Sequence, residues 1–243
     1  MTNFKPMKDY LFFLFNRLNS QYNFKSPFLD AGAGIGDTSL FLAKKGFYGE
    51  AVDISKDALK IAKETLKGYN VKVMFKDAEK INKKYNLIIS LDLLEHIQKD
   101  ELFFSKLAKN LKKGGYILLT LPYNPKEWGW DDEFYGHIRR YSKRKLISLF
   151  KKNNIEIKEF WDVTFPFFWI LRRLSLKLLK PKNKREPKKE LTKKSTLQQY
   201  WDIGVFSKLI NNCPLWRYLF NLQFSFRNKE RSHEVMILGI KNG

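Results

Sequence analysis

"LDAGAGIGD", residues 29–37, places glycines at positions 32, 34 and 36 directly behind a short apolar run. A glycine-rich turn between a strand and a helix is the usual means of bringing backbone N–H groups against a nucleotide-bearing ligand. The dinucleotide fingerprint G-x-G-x-x-G needs its third glycine one residue further on, where Asp37 stands instead. No G-K-[ST] follows, so the phosphate-binding P-loop is excluded as well. Asp30 precedes the turn, where a carboxylate repels a pyrophosphate and complements a cationic amino group. The turn suits a positively charged cofactor without phosphates.

Working outward, strand and helix patterns alternate. "PFLDA" (27–31) predicts the strand entering the turn, "GDTSLFLAKKG" (36–46) a helix ended by Gly46, and "GEAVDI" (49–54) a second strand. "SKDALKIAKETLKG" (55–68) predicts a helix capped by Ser55 and stopped by Gly68. "VKVMF" (71–75) and "YNLIIS" (85–90) read as strands, a helix from about Asp100 to Leu111 is closed by "KKGG", and "YILLTLP" (116–122) reads as the fifth strand. Upstream, "MKDYLFFLFNRLN" (7–19) is apolar enough for an amphipathic helix. Beyond the aromatic loop "KEWGWDDEFYGHIRRY" (126–141), a helix is expected near Ser142 and a strand near "IEIKEF" (155–160), but the last strand, "HEVMILGIK" (233–241), comes only after residue 232. This alternation predicts an open α/β sheet, mostly parallel and covered on both faces. Residues 1–164 and 232–243 would form one domain, with 165–231 inserted before its last strand.

An acidic residue followed by G-x-G-x-G resembles the first motif of the class I S-adenosylmethionine-dependent methyltransferases. The likeness runs from about residue 24 to 160 and returns over the final strand. It implies a Rossmann-like, seven-stranded sheet and S-adenosyl-L-methionine as cofactor, which answers the demand of the turn. By the same resemblance, Asp30, Gly32, Ala33, Gly34 and Gly36 form the cofactor loop, Asp53 takes the ribose hydroxyls, and Asp77 with Ala78 lies beside the adenine amino group; Ile54, Ser90 and Leu91 complete the set. Each of these carboxylates ends a predicted strand, the ligand-binding rim of an open α/β sheet.

Methyl transfer from a sulfonium is an in-line displacement, so a protein chiefly supplies alignment, exclusion of water and a base for the acceptor. After the fourth strand, "SLDLLEHIQKD" (90–100) sets Asp92, Glu95 and His96 at i, i+3 and i+4, and "YGHIRRY" adds His137 from the next rim loop. Only three histidines occur in the chain, and two fall on these neighbouring loops. His137, helped by His96 and Glu95, is the expected catalytic group. Asp92, Glu95, His96 and His137 together form a candidate divalent-metal site. That set resembles the E-x-x-E-H plus distant histidine of small-RNA 2′-O-methyltransferases and of ubiquinone-pathway O-methyltransferases, with Asp92 in place of the first glutamate. "GHIRRYS" also resembles a segment of small-molecule and lipid-pathway members; Arg139, Arg140 and Tyr141 either meet an anionic acceptor or tie the loop to the following helix.

The formal charge of +21 predicts attraction to polyanions, and it is concentrated late: residues 165–230 hold 15 Lys and Arg against 4 Asp and Glu. "FPFFWILRRLSLKLLK" (165–180) has the helical spacing of an interfacial segment, with Arg172, Arg173, Lys177 and Lys180 set toward anionic headgroups. "PKNKREPKKELTKK" (181–194) reads as a mobile basic loop, and "CPLWRYLFNLQFSF" (213–226) as a second helix folded back beside the first. The expected acceptor is therefore a small or lipid-linked molecule methylated on oxygen or nitrogen at an anionic membrane surface. RNA methylation, with the basic run on phosphates, is the alternative, and a non-catalytic membrane or nucleic-acid binding protein that keeps the fold is a third. Cys213, the single cysteine, fits a reducing compartment, and "MTNFKPMKDYLFFLF" lacks a secretory cleavage pattern, so a cytoplasmic location, peripheral on the inner membrane face, is expected.

Overall fold

The computed structural model describes residues 6–178 and 215–242. A helix, α1 (Pro6–Tyr22), precedes β1 (Phe28–Ala31), α2 (Asp37–Ala43), β2 (Gly49–Asp53), α3 (Lys56–Thr65) and β3 (Val71–Phe75). Then follow β4 (Tyr85–Leu91), α4 (Asp100–Asn110), β5 (Leu111–Pro122), α5 (Trp130–Tyr135), α6 (Lys143–Lys152) and β6 (Ile155–Asp162). Among the described residues, two helices, α7 (Phe167–Leu178) and α8 (Leu215–Ser225), lie between β6 and β7 (Glu234–Lys241) in sequence.

The strands form one seven-stranded sheet in the order β3-β2-β1-β4-β5-β7-β6. All neighbours pair parallel except β7, which runs antiparallel to both β5 and β6. This is the expected α/β sheet with a helical insertion before its last strand. The sequence order reverses between β1 and β4, and a ligand crevice opens at such a switch point, beyond the carboxyl ends of the strands.

Alternation along the strands divides the core between two faces. Ile88, Ile117, Leu119, Val235 and Ile237 pack with Phe103, Phe104 and Leu107 of α4 and Leu146, Leu149 and Phe150 of α6. Leu87, Ile89, Leu118, Met236 and Leu238 pack on the other side with Tyr10, Leu11, Leu14 and Leu18 of α1 and Phe220 of α8. The α1–α8 seam is aromatic: Phe220 stands 5.2 Å from Tyr10 and 5.7 Å from Phe13 between ring centroids.

Two expectations change. β5 starts at Leu111, not at Tyr116, because Leu111 already pairs with Tyr85; the pairing shifts register between Tyr85 and Leu87, and Gly114 takes φ +73°. "KKGG" is thus the irregular opening of a strand and not a turn. The insertion cations also differ. Arg172 is buried among carboxylates of the α5 region and does not face outward, for reasons given below. Lys180, the stretch 181–194 and Cys213 lie outside the described residues.

Candidate active site

The glycine turn leaves β1 and immediately meets β2: the N–H groups of Gly32 and Ala33 donate to the Val52 carbonyl at 2.9 and 3.0 Å. Gly36 must be glycine twice over, since φ is +87° and a Cβ there would lie 3.2 Å from the Ala62 and Leu66 side chains. Its left-handed conformation starts α2, whose N-terminus faces the crevice.

Asp53 is held from both sides. Its Oδ2 accepts the Gly34 N–H at 2.9 Å and its Oδ1 the Ser55 N–H at 2.7 Å. A carboxylate has about four acceptor positions, so two remain for the paired hydroxyls of a ribose. Beside it, Ile54 is an apolar side chain left 67% exposed, a surface on which a purine can rest. Asp77 caps the short 3-10 turn Ala78–Lys80 through the Glu79 N–H at 3.1 Å, leaving its other oxygen at the rim, with Ala78 buried beneath.

Asp30 stands at the foot of the turn. It lies under the turn, 2% exposed, and accepts the Ser39 hydroxyl at 2.6 Å. Burial pushes its carboxyl up to about 6, against the hydrogen bond from Ser39 and the charge of Lys8. It fastens β1 to α2. Ser90 is also buried, its hydroxyl without a hydrogen-bond partner, and Leu91 packs with the α1-side core.

Across the crevice, Glu95, His96 and His137 converge. Glu95 is fully buried with neither carboxyl oxygen hydrogen-bonded; its Oε1 lies 3.7 Å from His137 Nε2 and 3.9 Å from His96 Nε2. Burial first, and then the nearby Asp92 charge, hold the Glu95 carboxyl well above its usual range. His96 Nδ1 faces the Gly136 carbonyl at 3.2 Å. A carbonyl only accepts, so Nδ1 carries the hydrogen and Nε2 the lone pair. Burial lowers the His96 imidazole to about 4, keeping it neutral.

His137 has the stronger support. Its Nδ1 lies 2.8 Å from Asp132 Oδ1. Asp132 Oδ2 accepts from Arg140 Nε at 2.9 Å and from the Gly129 N–H at 2.8 Å. Although burial opposes ionisation, the hydrogen bonds from His137 and Arg140 bring the Asp132 carboxyl down to about 2. An ionised Asp132 fixes the His137 tautomer, with Nδ1 protonated and Nε2 turned toward Glu95.

Asp92 stands outside the trio: its Oδ1 accepts the Thr120 hydroxyl at 2.8 Å, while Glu95, His96 and His137 alone keep their ligand atoms within 4.8 Å of one another. The basic loop motif is resolved in favour of tying. Arg139 pairs with Asp100 at 2.5 Å, Arg140 binds Asp132 and the carbonyls of Tyr123 and His233, and the Tyr141 hydroxyl donates to Asp100 at 3.0 Å.

Asp132, Arg172 and Glu234 escaped the sequence reading. Arg172 grips Asp131 through Nε at 2.6 Å and Nη2 at 2.8 Å. Glu234, which pairs with Pro122 at the end of β5, has a buried Oε1 without a partner, and burial followed by the charges of Asp92 and Glu95 holds its carboxyl up. The spacing Asp132-x4-His137 is the only signal in the sequence that pointed to any of them.

The family of methyltransferase domains matches residues 5–159. The chain belongs to that family. The family domain spans every residue just described except Arg172, His233 and Glu234, and it stops before α7. Among curated proteins, the chain is 28% identical over 151 residues to the phosphoethanolamine N-methyltransferase of Plasmodium falciparum, covering 59% of this chain and 53% of that one. It is 26% identical over 163 residues to a ubiquinone biosynthesis O-methyltransferase of Pelagibacter ubique, covering 56% of this chain and 64% of the relative. The chain thus matches less than two thirds of the length of either relative. Its fold is that of a solved S-adenosylmethionine-dependent methyltransferase of Clostridium acetobutylicum, with TM-score 0.60 at 14% identity over 100% of this chain and 93% of the other.

Proposed function

We propose that this family member is an S-adenosylmethionine-dependent methyltransferase acting on oxygen or nitrogen of a small or lipid-linked acceptor, with His137 as the base. The observation that carries the reading is the His137–Asp132 pair, set across the crevice from the Asp53 and glycine-turn rim. The donor set fits the cofactor: Asp53 offers two open acceptor positions for the ribose, Ile54 a bare apolar surface, and Asp77 an acceptor for the adenine amino group. When bound, S-adenosylmethionine supplies an electrophilic methyl group on a positively charged sulfur.

His137 Nε2 receives the proton that an acceptor hydroxyl gives up as the methyl bond forms, or that an acceptor ammonium gives up before its freed lone pair attacks. Asp132 stabilises the resulting imidazolium through Nδ1, the role a buried carboxylate plays behind a histidine base. His96, neutral and tied by Nδ1 to Gly136, and Glu95, whose carboxyl burial pushes up, line the same spot.

A second reading is carried by one observation: both imidazoles donate Nδ1–H to oxygen acceptors and turn Nε2 toward the unpartnered Glu95 carboxyl. This is the outer bonding that orients histidines for a divalent cation. His96, His137 and Glu95 would hold the cation, which would lower the pKa of an acceptor hydroxyl. Metal analysis of the purified protein and turnover in strong chelator separate the readings, since full activity under chelation leaves His137 as the base.

The membrane part of the proposal rests on α7 and α8. Ile170, Leu174 and Leu178 form one exposed stripe and Leu215, Tyr218 and Leu222 another, with Arg173, Lys177 and Arg217 exposed beside them. No helix among the described residues is long and apolar enough to cross a membrane. Such a surface suits docking on anionic headgroups from one side. The test incubates the protein with methyl-labelled S-adenosylmethionine and a cell extract, then partitions the label between chloroform and water. Label in chloroform supports a lipid-linked acceptor; label only in water restricts the acceptor to soluble molecules; no labelled product overturns the enzymatic reading.

A further inference from the structure

Helix α7 lies beyond the matched family domain, yet one of its side chains reaches the groups that orient the proposed base. Arg172 is 7% exposed, and its guanidinium makes a two-pronged contact with Asp131. The same Nη2 lies 3.3 Å from Asp132 Oδ2 and 3.0 Å from the Glu127 carbonyl. Asp132 Oδ1 in turn holds His137 Nδ1 at 2.8 Å. The chain of contact therefore runs from α7 through one carboxylate to the imidazole.

Two further contacts fix α7 at this place. Trp130 Nε1 donates to the Leu176 carbonyl at 3.1 Å, one turn along the helix from Arg172. Gly129 marks the closest backbone approach: a Cβ there would lie 3.1 Å from Arg172 Nη2, 3.1 Å from Leu176 Cδ2 and 2.6 Å from Asp131 Oδ1. Its φ of −137° is open to any residue, so a side chain there would act only by displacing the ends of the Asp131, Arg172 and Leu176 side chains. A planar fork against a carboxylate pair sets direction as well as charge, which a lysine cannot reproduce.

We infer that Arg172 is a positioning residue for His137, so that the inserted helix supports a base that itself belongs to the family domain. The inference rests on the proposed role of His137 in methyl transfer. Arg172 does not reach the crevice itself; it acts by holding Asp132 in the direction that His137 needs. Losing an outer partner of this kind typically costs 10- to 100-fold in activity.

The test compares the whole protein with R172Q, R172K and G129A. Three measurements are made: S-adenosylmethionine affinity by calorimetry, the rate of methyl transfer to cell extract at saturating cofactor, and the ring Nδ1–H resonance of His137 in histidine-labelled protein. With three histidines in the chain, an H137N control assigns the last signal. The inference expects R172Q to lose about 10- to 100-fold in rate and to shift or broaden that resonance. R172K should recover part of the rate, G129A should follow R172Q without any change of charge, and all should keep cofactor affinity within about two-fold. An unchanged resonance in both R172Q and G129A overturns the inference. So does a rate that falls only in step with cofactor affinity, which marks a general loss of structure. Because the resonance is read without turnover, absence of methyl transfer in the unaltered protein defeats the enzymatic reading and leaves the positioning contact separately measured.

Discussion

The two sides of the crevice are built on different principles. The cofactor side is made of short-range backbone geometry: a glycine turn, two carboxylates at strand ends, and N–H groups donated from no more than 19 residues away in sequence. The acceptor side ties the local His137–Asp132 pair into long-range contacts, with His96 bound to Gly136 40 residues later, Asp131 to Arg172 41 residues later, and Arg140 to the His233 carbonyl 93 residues later. A backbone cradle serves one ligand and tolerates little change. A side-chain assembly can be rebuilt for a new acceptor while the cradle stays as it is.

Substitution at His137 should show the comparison most sharply. H137A should lower turnover by about 10²- to 10⁴-fold, the usual contribution of a positioned base, with cofactor affinity unchanged. Equal losses in both would mean that the two sides are not separable. The reciprocal change, D53A, removes the two remaining acceptor positions and frees the Gly34 and Ser55 N–H groups. Cofactor affinity should fall about 10- to 100-fold, as for the loss of one or two charge-assisted hydrogen bonds, while the His137 resonance stays in place. Calorimetry on D53A settles the point.

A smaller effect concerns rigidity. G36A places a side chain at φ +87° against Ala62 and Leu66, so stability should drop by about 1–2 kcal/mol, with cofactor binding weakened and the His137–Asp132 geometry intact. Denaturant unfolding and the same resonance measure the two parts. If G36A moves the His137 signal as much as R172Q does, the sides are mechanically coupled.

The smallest effect is expected from a buried acid near the insertion. Asp162, 2% exposed, accepts the N–H groups of Arg231 and Ser232 through Oδ2 and leaves Oδ1 unpartnered. Burial pushes its carboxyl up to about 7, above its unfolded value. The folded state therefore holds the proton more tightly than the unfolded state. This contribution to stability is complete below about pH 4, declines as pH rises toward 7 and is absent above that. D162N should remove the decline, so that its stability stays level between pH 4 and pH 8 where that of the unaltered protein falls, as read by urea unfolding. Asp30, pushed up to about 6 on the cofactor side, would leave a residual slope of the same sign.

The sequence was informative where interactions are local. The glycine spacing, the aspartates at the ends of β2 and β3, and the strand-helix alternation each follow from rules that act within a few residues. His96, His137 and Glu95 could be nominated because histidine is scarce here and two of three fall on adjacent rim loops. Asp132 offered only its spacing to His137, and Arg172 nothing, because the carboxylates that hold Arg172 lie about 40 residues away on a separate element. Arg172 was expected to face headgroups, since its helix is amphipathic; helical spacing gives no warning that Glu127, Asp131 and Asp132 would gather on the buried side. "KKGG" was misread for a related reason: glycines mark irregular backbone, but only the pairing of Leu111 with Tyr85 shows that the irregularity lies inside a strand.

The point at which the insertion joins the sheet has a consequence for how this enzyme family can change. Asp162, the last residue of β6, sits opposite Val235 in β7, so residues 163–234 leave and re-enter the sheet at one shared doorway. Closing a loop across two strands that are already paired adds an entropic cost that grows only slowly with loop length. The segment can therefore be lengthened, shortened or exchanged like a cassette without re-registering a strand or disturbing the glycine cradle. A chimera carrying a foreign segment between Asp162 and Val235 that keeps the Arg172 contact and the Phe220 packing should retain the sheet and the cofactor while taking its acceptor preference from the donor.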